Sequence, residues 1–448
     1  MKRPSVYTRR QCSPRQTVHD LLDSSAMETF QTEPTLSSLP DDLLVTILSL
    51  LPTEIAARTS VLSRRFQHLW KASPAVYLAF PKFTFPNFRF QRFEAMANAA
   101  LLSRQPSTPL LRLHLINIGP LLYRKRLSNS FISSLLTHAH SLGLRHLTLT
   151  GGMWQQDDED IQSIVRTVFS ISSLESLSIS LNTLLEIVLP SATSLTHLKT
   201  LSITPRVNSA QVERLLLELC CLNHLQLSHF VMSSSAMVSL SSLTLQKLEL
   251  FVITPREGTC SVGLFMPSLE FLYLENKTRL PHIHGVIPLL RKSVITLCYL
   301  LPVHVTAVTQ LLNLISHVEE LSLDFRETME YPFCNLLEPV KEVSSFPNLK
   351  HLDACMCFHE YNFEAVVSLL HRSPALQSLK LLHKAKDKFA QWTEVKKKMN
   401  DWRSKLPRNV EGNYQYAYFS NLHLKENNEG FMELLNRSSI SKKLKVHK

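Results

Sequence analysis

The chain has 448 residues, of which 44% are hydrophobic and only 9 are glycine, and its formal net charge is +11. A chain with so little glycine rarely builds phosphate-cradling loops, and the sequence contains no G-x-G-x-x-G, G-x-x-x-x-G-K-[ST], G-x-S-x-G or H-E-x-x-H motif. These observations argue against a nucleotide-binding enzyme and against a hydrolase of the common types.

The positive charge lies at the two ends of the chain. Residues 1–15 carry +5 and residues 384–408 carry +6, whereas residues 16–383 sum to −2. Phosphate binding requires a basic field over the body of a fold, so we expect no nucleic-acid partner. We predict a disordered basic tail over residues 1–34. The cluster EVKKKMN at 394–400 fits either a solvated segment or a nuclear import signal.

The sequence indicates a reducing compartment, nuclear or cytoplasmic. Its eight cysteines form no C-x-x-C pair and no apolar leader stands at the N-terminus, although Arg and Ser there leave an organelle transit peptide as a weaker alternative. Residues 293–318 contain no Asp, Glu, Lys or Arg and are long enough to be tested as a membrane span. Polar residues interrupt that stretch, and the repeat described below explains its leucines, so we expect no membrane partner.

The first predicted helix lies in LPDDLLVTILSLLP, residues 39–52. Pro40 suits a first helical turn, Asp41 and Asp42 favour its positive dipole end, and Pro52 ends it. The run ARTSVLSRRFQHLW at 57–70 forms a second apolar face. Because three short helices in about 35 residues make too small a core to fold alone, one interpretation is an N-terminal cap for the segment that follows.

The organising signal of the remaining chain is a repeat of the pattern L-x-x-L-x-L. Its second leucine stands at positions 113, 147, 177, 201, 225, 248, 272, 297, 321, 352 and 379. The steps run from 23 to 34 residues, and six consecutive steps lie between 23 and 25. This period is typical of leucine-rich repeats.

Each repeat predicts one strand followed by a helix. L-x-L places alternate side chains on one face of a strand, and apolar residues at helical spacing follow in several units, as in Ile161–Val168, Val212–Leu219 and Val308–Ile315. One strand and one helix cannot bury their apolar faces alone, so the units must stack. We therefore predict an α/β fold, a solenoid with parallel strands on the concave face and helices outside. The consensus asparagine after the strand is missing from nearly all copies, which leaves the curvature open.

The stretch LPDDLLVTILSLLPTEIAARTSVLSRRFQHLW at 39–70 resembles the F-box, and RTSVLSRRF followed by LW is similar to the large plant group of F-box proteins with leucine-rich repeats. The resemblance implies docking on the Skp-type adaptor of a cullin-RING ubiquitin ligase. Phe66 stands where this group usually has Trp, and Gln67 where it often has a basic residue. Carried over by position, the residues that would form or support the adaptor-facing surface are Leu39, Pro40, Leu43, Ile47, Leu48, Leu51, Pro52, Val61 and Leu62.

In that family the C-terminal part often ends in a module called FBD, and EGFMELLNRSSISKKLKV at 429–446 resembles its closing segment. A helical cap that closes the solenoid is the alternative. The expected organisation is a disordered basic tail at 1–34, an F-box at 35–75, a helical linker or cap at 76–108, leucine-rich repeats at 109–385 and a basic, FBD-like cap at 386–448.

A metal site can be imagined at His351, Asp353, Cys355, Cys357 and His359, which share one strand parity. An extended strand moves same-face side chains by about 6.6 Å per two residues, too far for all to converge on one ion. We therefore expect neither a metal nor a cofactor.

The residues on either side of each second leucine point away from the core, and most of them are small or polar. Phe271 and Tyr273 are exceptions, and Phe251 is expected one strand away, about 4.8 Å across the sheet. These rings either anchor a target protein on the concave face or pack against the loop at 251–267 and seal the sheet.

Two functions remain from the sequence. The first is a non-catalytic substrate-recognition subunit of a Skp-cullin-F-box type E3 ubiquitin ligase, in which the F-box holds the adaptor and the repeats hold an unidentified target protein. The alternative is a leucine-rich-repeat scaffold that binds proteins or senses a small ligand without ligase activity.

Overall fold

The computed structural model describes residues 38–79, 88–102, 104, 108–117, 129–154, 159–183, 186–232, 237–254, 260–276, 280–297, 305–325, 340–343, 345–356, 365 and 368–383. The predicted tail at 1–34 and the predicted cap at 386–448, with its FBD-like segment, lie outside these residues. Cys357 and His359 of the imagined metal site also lie outside them.

The described helices are α1 Asp41–Leu48, α2 Thr53–Arg58, α3 Phe66–Leu69, α4 Phe88–Leu102, α5 Asn129–Ser141, α6 Glu159–Phe169, α7 Ser209–Glu218 and α8 Val305–Leu314. Short 3₁₀ turns follow α2 at Thr59–Val61 and α3 at Trp70–Ala72. No helix in the described part of the chain is long and apolar enough to cross a membrane.

The strands of the long sheet are β1 Ala75–Ala79, β2 Arg112–Ile116, β3 His146–Trp154, β4 Ser176–Thr183, β5 Thr200–Asn208, β6 His224–Val231, β8 Lys247–Phe251, β9 Ile253–Thr254, β11 Phe271–Asn276, β13 Lys292–Leu297, β14 Glu320–Phe325, β15 His351–Met356 and β16 Ser378–His383. All are parallel to their neighbours and follow one another in chain order, with β9 pairing beside β6. A second sheet holds β7 Met237–Ser241, β10 Ser261–Phe265 and β12 His282–Val286.

The first three helices form a small bundle. α1 starts directly after Pro40 with Asp41 and Asp42 in its first turn, as the sequence predicted. Its inner face packs into a core made by Leu44, Leu48, Ala56, Phe66 and Leu69.

Arg65 ties the end of this bundle back to its beginning. Its Nε donates a hydrogen bond of 2.6 Å to Asp41 Oδ1, and its Nη2 donates one of 2.6 Å to the carbonyl oxygen of Leu39. Because both side chains are partly exposed, this ion pair contributes at most about 1 kcal/mol to the stability of the bundle. Burial of the apolar core contributes most of the remaining stability.

The segment at 76–108 begins differently from the expected helical linker. Ala75–Ala79 is the first strand of the long sheet and pairs in parallel with β2, and the helix α4 comes only afterwards. The reason lies in the alternation of AVYLA, which buries Val76 and Leu78 and extends the leucine core by one strand.

The second leucines of the repeats form one buried column through the long sheet. All eleven predicted positions are at most 2% exposed, and ten of them lie in this column, namely Leu113, Leu147, Leu177, Leu201, Leu225, Leu248, Leu272, Leu321, Leu352 and Leu379. Consecutive members are register partners on neighbouring strands, with the column interrupted only between Leu272 and Leu321. The predicted parallel-strand solenoid is confirmed.

The predicted repeat whose second leucine is Leu297 was placed four residues too late in the sequence. Ser293, and not Leu297, is the register partner of Leu272 and Leu321, and Leu297 pairs with Asn276 and Phe325 instead. The true copy starts at Leu290 and carries Ser293 where other repeats carry leucine. The step from Leu272 is therefore 21 residues and not 25.

The outer layer is not helical throughout, which corrects the prediction of helices outside. α6, α7 and α8 lie where the sequence predicted them, but β7, β10 and β12 take the place of helices between α7 and α8. The physical reason is a period of two, because MVSLS buries Val238 and Leu240 on alternate positions and a helix could not.

Ser293 provides a test of the leucine column. Its side chain is fully buried and its Oγ has no hydrogen-bond partner among the described residues. We expect Ser293→Ala to raise the free energy of unfolding by about 1 kcal/mol, since an unpaired buried hydroxyl is removed at little cost in volume.

Ser373→Ala is the matched control. Ser373 is equally buried, but its Oγ donates a hydrogen bond of 2.7 Å to the carbonyl oxygen of Leu369. Removing that hydrogen bond should lower the free energy of unfolding by about 1 kcal/mol. Urea unfolding of both variants measures the difference. If Ser293→Ala instead lowers the free energy of unfolding, the buried Ser293 hydroxyl does have a hydrogen-bond partner and the argument is wrong.

Candidate functional site: two interaction surfaces

One face of α1 is apolar and exposed, although the opposite face fills the bundle core. Leu43 and Ile47 follow at i and i+4, and Leu50 continues the same face just after the helix. Leu44 and Leu48, each one position further along, are buried against α3 and the neighbouring turns. The short helix therefore has two apolar faces, of which the bundle uses one.

The exposed apolar side chains continue beyond α1. Of the fourteen large hydrophobic residues exposed in the described part of the chain, six lie within residues 43–62. Because they lie in the segment that resembles an F-box, we call these six the F-box apolar surface: Leu43, Ile47, Leu50, Ile55, Val61 and Leu62, which are between 40% and 87% exposed. Large apolar side chains exposed at this density within one short segment are typical of a protein-interaction site.

The structure distributes the nine predicted adaptor residues unevenly. Leu43, Ile47, Val61 and Leu62 belong to the F-box apolar surface. Those outside it are Leu39 and Leu51, which are half-buried, Pro40 and Pro52, which are exposed, and Leu48, which is buried.

Leu48 therefore supports the surface from inside and offers no atoms to a partner. Leu50 and Ile55, which the sequence prediction did not include, are exposed in the same segment. The spacing of Leu50 seven residues after Leu43 is the signal that could have found it, since positions i and i+7 share a helix face.

The bundle joins directly to the first strand of the long sheet. Thr53 Oγ1 accepts a hydrogen bond of 2.8 Å from the backbone N–H of Tyr77, and Trp70 packs against both the bundle core and the repeat core. Arg104 donates to the carbonyl oxygen of Ser73 at 2.6 Å, and burial lowers its pKa to about 10. Arg104 therefore stays cationic at neutral pH and fastens the chain that leaves the bundle.

The open face of the long sheet, predicted to be concave, carries the outward residues of each repeat. Its β3–β5 section is lined by small hydroxyl side chains, with Thr148, Ser178 and Ser202 in one register row. The β13–β16 section carries charges that pair across strands, such as Lys292 with Glu320 at 2.7 Å. The two sections differ in chemistry, and the β8–β11 section between them differs from both.

The β8–β11 section holds an aromatic patch, which we define as Phe251, Phe271 and Tyr273. The rings of Phe251 and Tyr273 are in contact, with centroids 4.6 Å apart and planes tilted by 33°. Tyr273 Oη donates a hydrogen bond of 2.9 Å to Glu275 Oε2. All three residues are half-buried, so each keeps part of its surface exposed.

Lys247 and Glu249 border the aromatic patch. Lys247 Nζ lies 5.1 Å from the centroid of the Phe271 ring and 2.5 Å from Glu249 Oε1. His224 Nε2 is 3.3 Å from the same carboxylate oxygen, without hydrogen-bonding alignment. Burial and the Lys247 charge lower the pKa of His224 more than Glu249 raises it, so this imidazole is neutral at pH 7.

The described residues contain no group of three or more His, Cys, Asp or Glu side chains arranged to hold a metal ion. Asp353 of the imagined metal site instead lies 3.9 Å from Lys380, and Cys355 is buried.

The comparison with known families decides the nature of the bundle, because the F-box domain model matches residues 36–74. The chain carries an F-box domain. A "Putative F-box/FBD/LRR-repeat protein" of Arabidopsis thaliana is 27% identical over 378 residues, which cover 81% of this chain and 79% of the relative. An "FBD-associated F-box protein" of the same organism is 27% identical over 351 residues, 77% of each chain.

A shorter match is closer in sequence. A second "FBD-associated F-box protein" of Arabidopsis thaliana is 41% identical over 80 residues, 18% of each chain. The resemblance to plant F-box proteins with leucine-rich repeats is confirmed, and residues 39–70, which carried it, lie inside the matched domain.

The two faces of α1 can be told apart by mutation, because Leu48 lies on the buried face and Leu43 on the exposed face. Leu48→Ala should destabilise the bundle by about 2–5 kcal/mol, because it leaves a cavity between α1 and α3. Leu43→Ala, on the exposed face of the same helix, should change stability by no more than about 0.5 kcal/mol. Hydrogen exchange of residues 41–69 measures both effects, and equal protection in the two variants would contradict the assignment of the faces.

Proposed function

We propose that this chain is the substrate-recognition subunit of a Skp-cullin-F-box type E3 ubiquitin ligase. The F-box apolar surface docks on the Skp-type adaptor and through it on the cullin, and the open face of the long sheet binds a target protein. The chain itself performs no chemistry in this scheme, since ubiquitin is transferred by the partner enzymes. We place it in the nucleus or the cytoplasm.

The observation that carries the proposal is the exposure of six large hydrophobic side chains within twenty residues of the F-box. Removing such side chains from water yields about 25 cal/mol for each Å² buried. The exposed residues belong to a bundle whose own core is already filled by Leu44, Leu48 and Phe66. The remaining apolar face therefore has a partner of its own to cover it.

The position of the F-box also supports the proposal. It lies next to β1, the first strand, whereas the aromatic patch lies on β8 and β11, six and seven strands along the sheet. With neighbouring strands about 4.8 Å apart, the two surfaces are separated by about 30 Å. An adaptor and a target can therefore be bound at the same time.

The adaptor prediction uses exposed residues only. Replacing Leu43 and Val61 together by Ala should weaken binding to a Skp-type adaptor at least tenfold, because truncated interface anchors each cost about 1–2 kcal/mol. The melting temperature should stay unchanged, since both side chains are exposed. Isothermal titration calorimetry of the full chain with the purified adaptor measures the loss.

The matched control replaces Leu217 and Leu243 by Ala, which are both 77% exposed but lie on the repeats. This variant should bind the adaptor as the wild type does. If the Leu43/Val61 variant also binds with wild-type affinity, the ligase role is overturned and the alternative of a binding scaffold without ligase activity stands.

The target prediction concerns the aromatic patch. Phe271→Ala with Tyr273→Ala should abolish target capture while adaptor binding is retained, because exposed aromatic rings are frequent interface anchors. Quantitative affinity purification of the wild type and the variant, normalised to the adaptor recovered with each, measures the loss.

Tyr273→Phe with Phe271 kept is the conservative control, since it removes the hydroxyl that donates to Glu275, keeps both rings and should retain the target. A double variant that melts several degrees lower and still captures the same proteins would show that the rings seal the sheet instead of binding a target.

A further inference from the structure

The open face of the long sheet carries no carboxylate at the positions that flank the second leucines of β2–β6. We call these positions the acid-free section: Arg112, His114, His146, Thr148, Ser176, Ser178, Thr200, Ser202, His224 and Gln226. All of them are half-buried, so each keeps part of its surface exposed. Arg112 is the one arginine or lysine among them.

The same positions on β8–β16 are charged, but their charges cancel. Every lysine there is paired with an acid, in the ion pairs Lys247–Glu249 at 2.5 Å, Lys292–Glu320 at 2.7 Å and Lys380–Asp353 at 3.9 Å. Arg112, in contrast, has no hydrogen bond and no ion pair within the part of the chain that the structure describes. It is therefore the cation of the open face that lacks a negative partner.

The residues around Arg112 leave its charge unbalanced. Its register partner on β3 is His146, and His114 follows on the same strand with its ring stacked on Tyr77, the centroids 4.2 Å apart and the planes tilted by 12°. Burial, followed by the charges of Arg112 and His146, lowers the pKa of His114, so this imidazole is neutral at pH 7. Two basic side chains therefore act on one ring, and neither has an acid on this section.

A carboxylate does lie at the rim beside this section, but two cations already share it. Glu175 Oε2 accepts a hydrogen bond of 3.0 Å from Lys199 Nζ, and its Oε1 accepts one of 3.2 Å from Arg145 Nη1. Since two cations face one carboxylate, the rim adds a net positive charge to the section.

Hydroxyl groups supply further donors beside Arg112. The side chains of Thr148, Ser176, Ser178 and Thr200 make no hydrogen bond within the described residues, so their hydroxyls are free to donate. Both Arg112 and these hydroxyls can donate to an oxyanion, and donors to an ionised group form the stronger hydrogen bonds. The section therefore complements a ligand that is anionic and rich in acceptor oxygens.

We propose that the acid-free section binds an acidic segment of the target protein, with one Asp or Glu carboxylate on Arg112 and the next carboxylates on the free hydroxyls. This inference rests on the function proposed above and adds the chemistry of the target. One arginine balances one carboxylate, whereas a phosphorylated side chain carries about −1.5 to −2 at pH 7 and would exceed that charge. Charge balance therefore favours carboxylates.

The size of the section fits a short extended segment. The row from Arg112 through His146 and Ser176 to Thr200 crosses three strand spacings, about 14 Å, which about four extended residues cover. The aromatic patch begins on β8, five strand spacings or about 24 Å from β2. The acidic segment and the residues on the aromatic patch are therefore separate parts of the target.

The probe is an oligoglutamate that carries a benzophenone group, added to the full chain at low ionic strength because salt screens exposed charges. Both ends of the chain are basic and attract the same peptide. Binding is therefore measured as photo-cross-links to tryptic peptides from residues 112–202, identified by mass spectrometry. We expect Arg112→Gln to raise the concentration of half-maximal cross-linking there at least tenfold. Ser178→Asp, which places an acid in the section without touching Arg112, should have the same effect.

Lys292→Gln is the matched control, since it removes a cation from the same face but one that Glu320 already neutralises. This variant should cross-link as the wild type does, and an oligoglutamine of equal length should give no cross-link in the section. Unchanged melting temperatures verify that the variants fold.

Three results would overturn the inference. The first is an equal loss in Arg112→Gln and Lys292→Gln, and the second is a section that cross-links only when phosphoserine replaces the glutamates. The third is a wild type that binds the adaptor and gives no cross-link in the section, which leaves the ligase role standing. If the chain instead cross-links as expected but does not bind the adaptor, the ligase role fails and the acidic site remains.

Discussion

The fold depends on one constraint: a single strand with leucine on alternate positions cannot cover its own apolar face. Each member of the leucine column, from Leu113 to Leu379, is buried by its neighbours in the strands before and after it. The two ends of such a stack expose apolar surface unless something covers them. At the N-terminal end β1 continues the sheet, and Thr53 and Trp70 connect that strand to the F-box. The F-box therefore also serves as a cap, so the two interpretations of the N-terminal helices describe one structure.

The same constraint leaves the open face to vary. Positions that alternate with the column are excluded from the core by the pleat of the strand, so their side chains contribute little to folding. This freedom is visible in the contrast between the hydroxyl-lined β3–β5 section, the paired charges such as Lys292 and Glu320, and the aromatic patch. A surface that folding does not determine is where specificity for a target can be encoded.

The sequence predicted the column and the F-box well because both rest on periodic burial. It failed where one residue broke the period: Ser293 occupies a leucine position, and Leu297 offered a false match four residues later. It also failed in the outer layer, where the alternation of MVSLS is short and lies close to stronger helical patterns. In the F-box, periodicity showed that α1 is apolar, but only the packing of Phe66 and Leu69 decides which leucines lie inside. The spacing of Leu43 and Leu50 predicts that these two share a helix face, but that contact is needed to show that their face is the exposed one.

The outer strands influence the curvature of the long sheet between α7 and α8. Helices pack about 8–10 Å apart, whereas neighbouring strands are about 4.8 Å apart, so a solenoid with helices outside must bend toward its sheet. Between α7 and α8 the outer layer consists of β7, β10 and β12, whose spacing equals that of the inner strands. Edge pairing there is blocked by α7, since Glu213 accepts a hydrogen bond of 2.6 Å from the backbone N–H of Ser239. Because the strands of both layers have the same spacing, the solenoid does not need to bend between α7 and α8. We therefore expect this part of the long sheet to be flatter than the parts on either side of it. The aromatic patch on β8 and β11 lies on that section, and the 4.6 Å between the Phe251 and Tyr273 rings is close to the strand spacing that a flat sheet imposes.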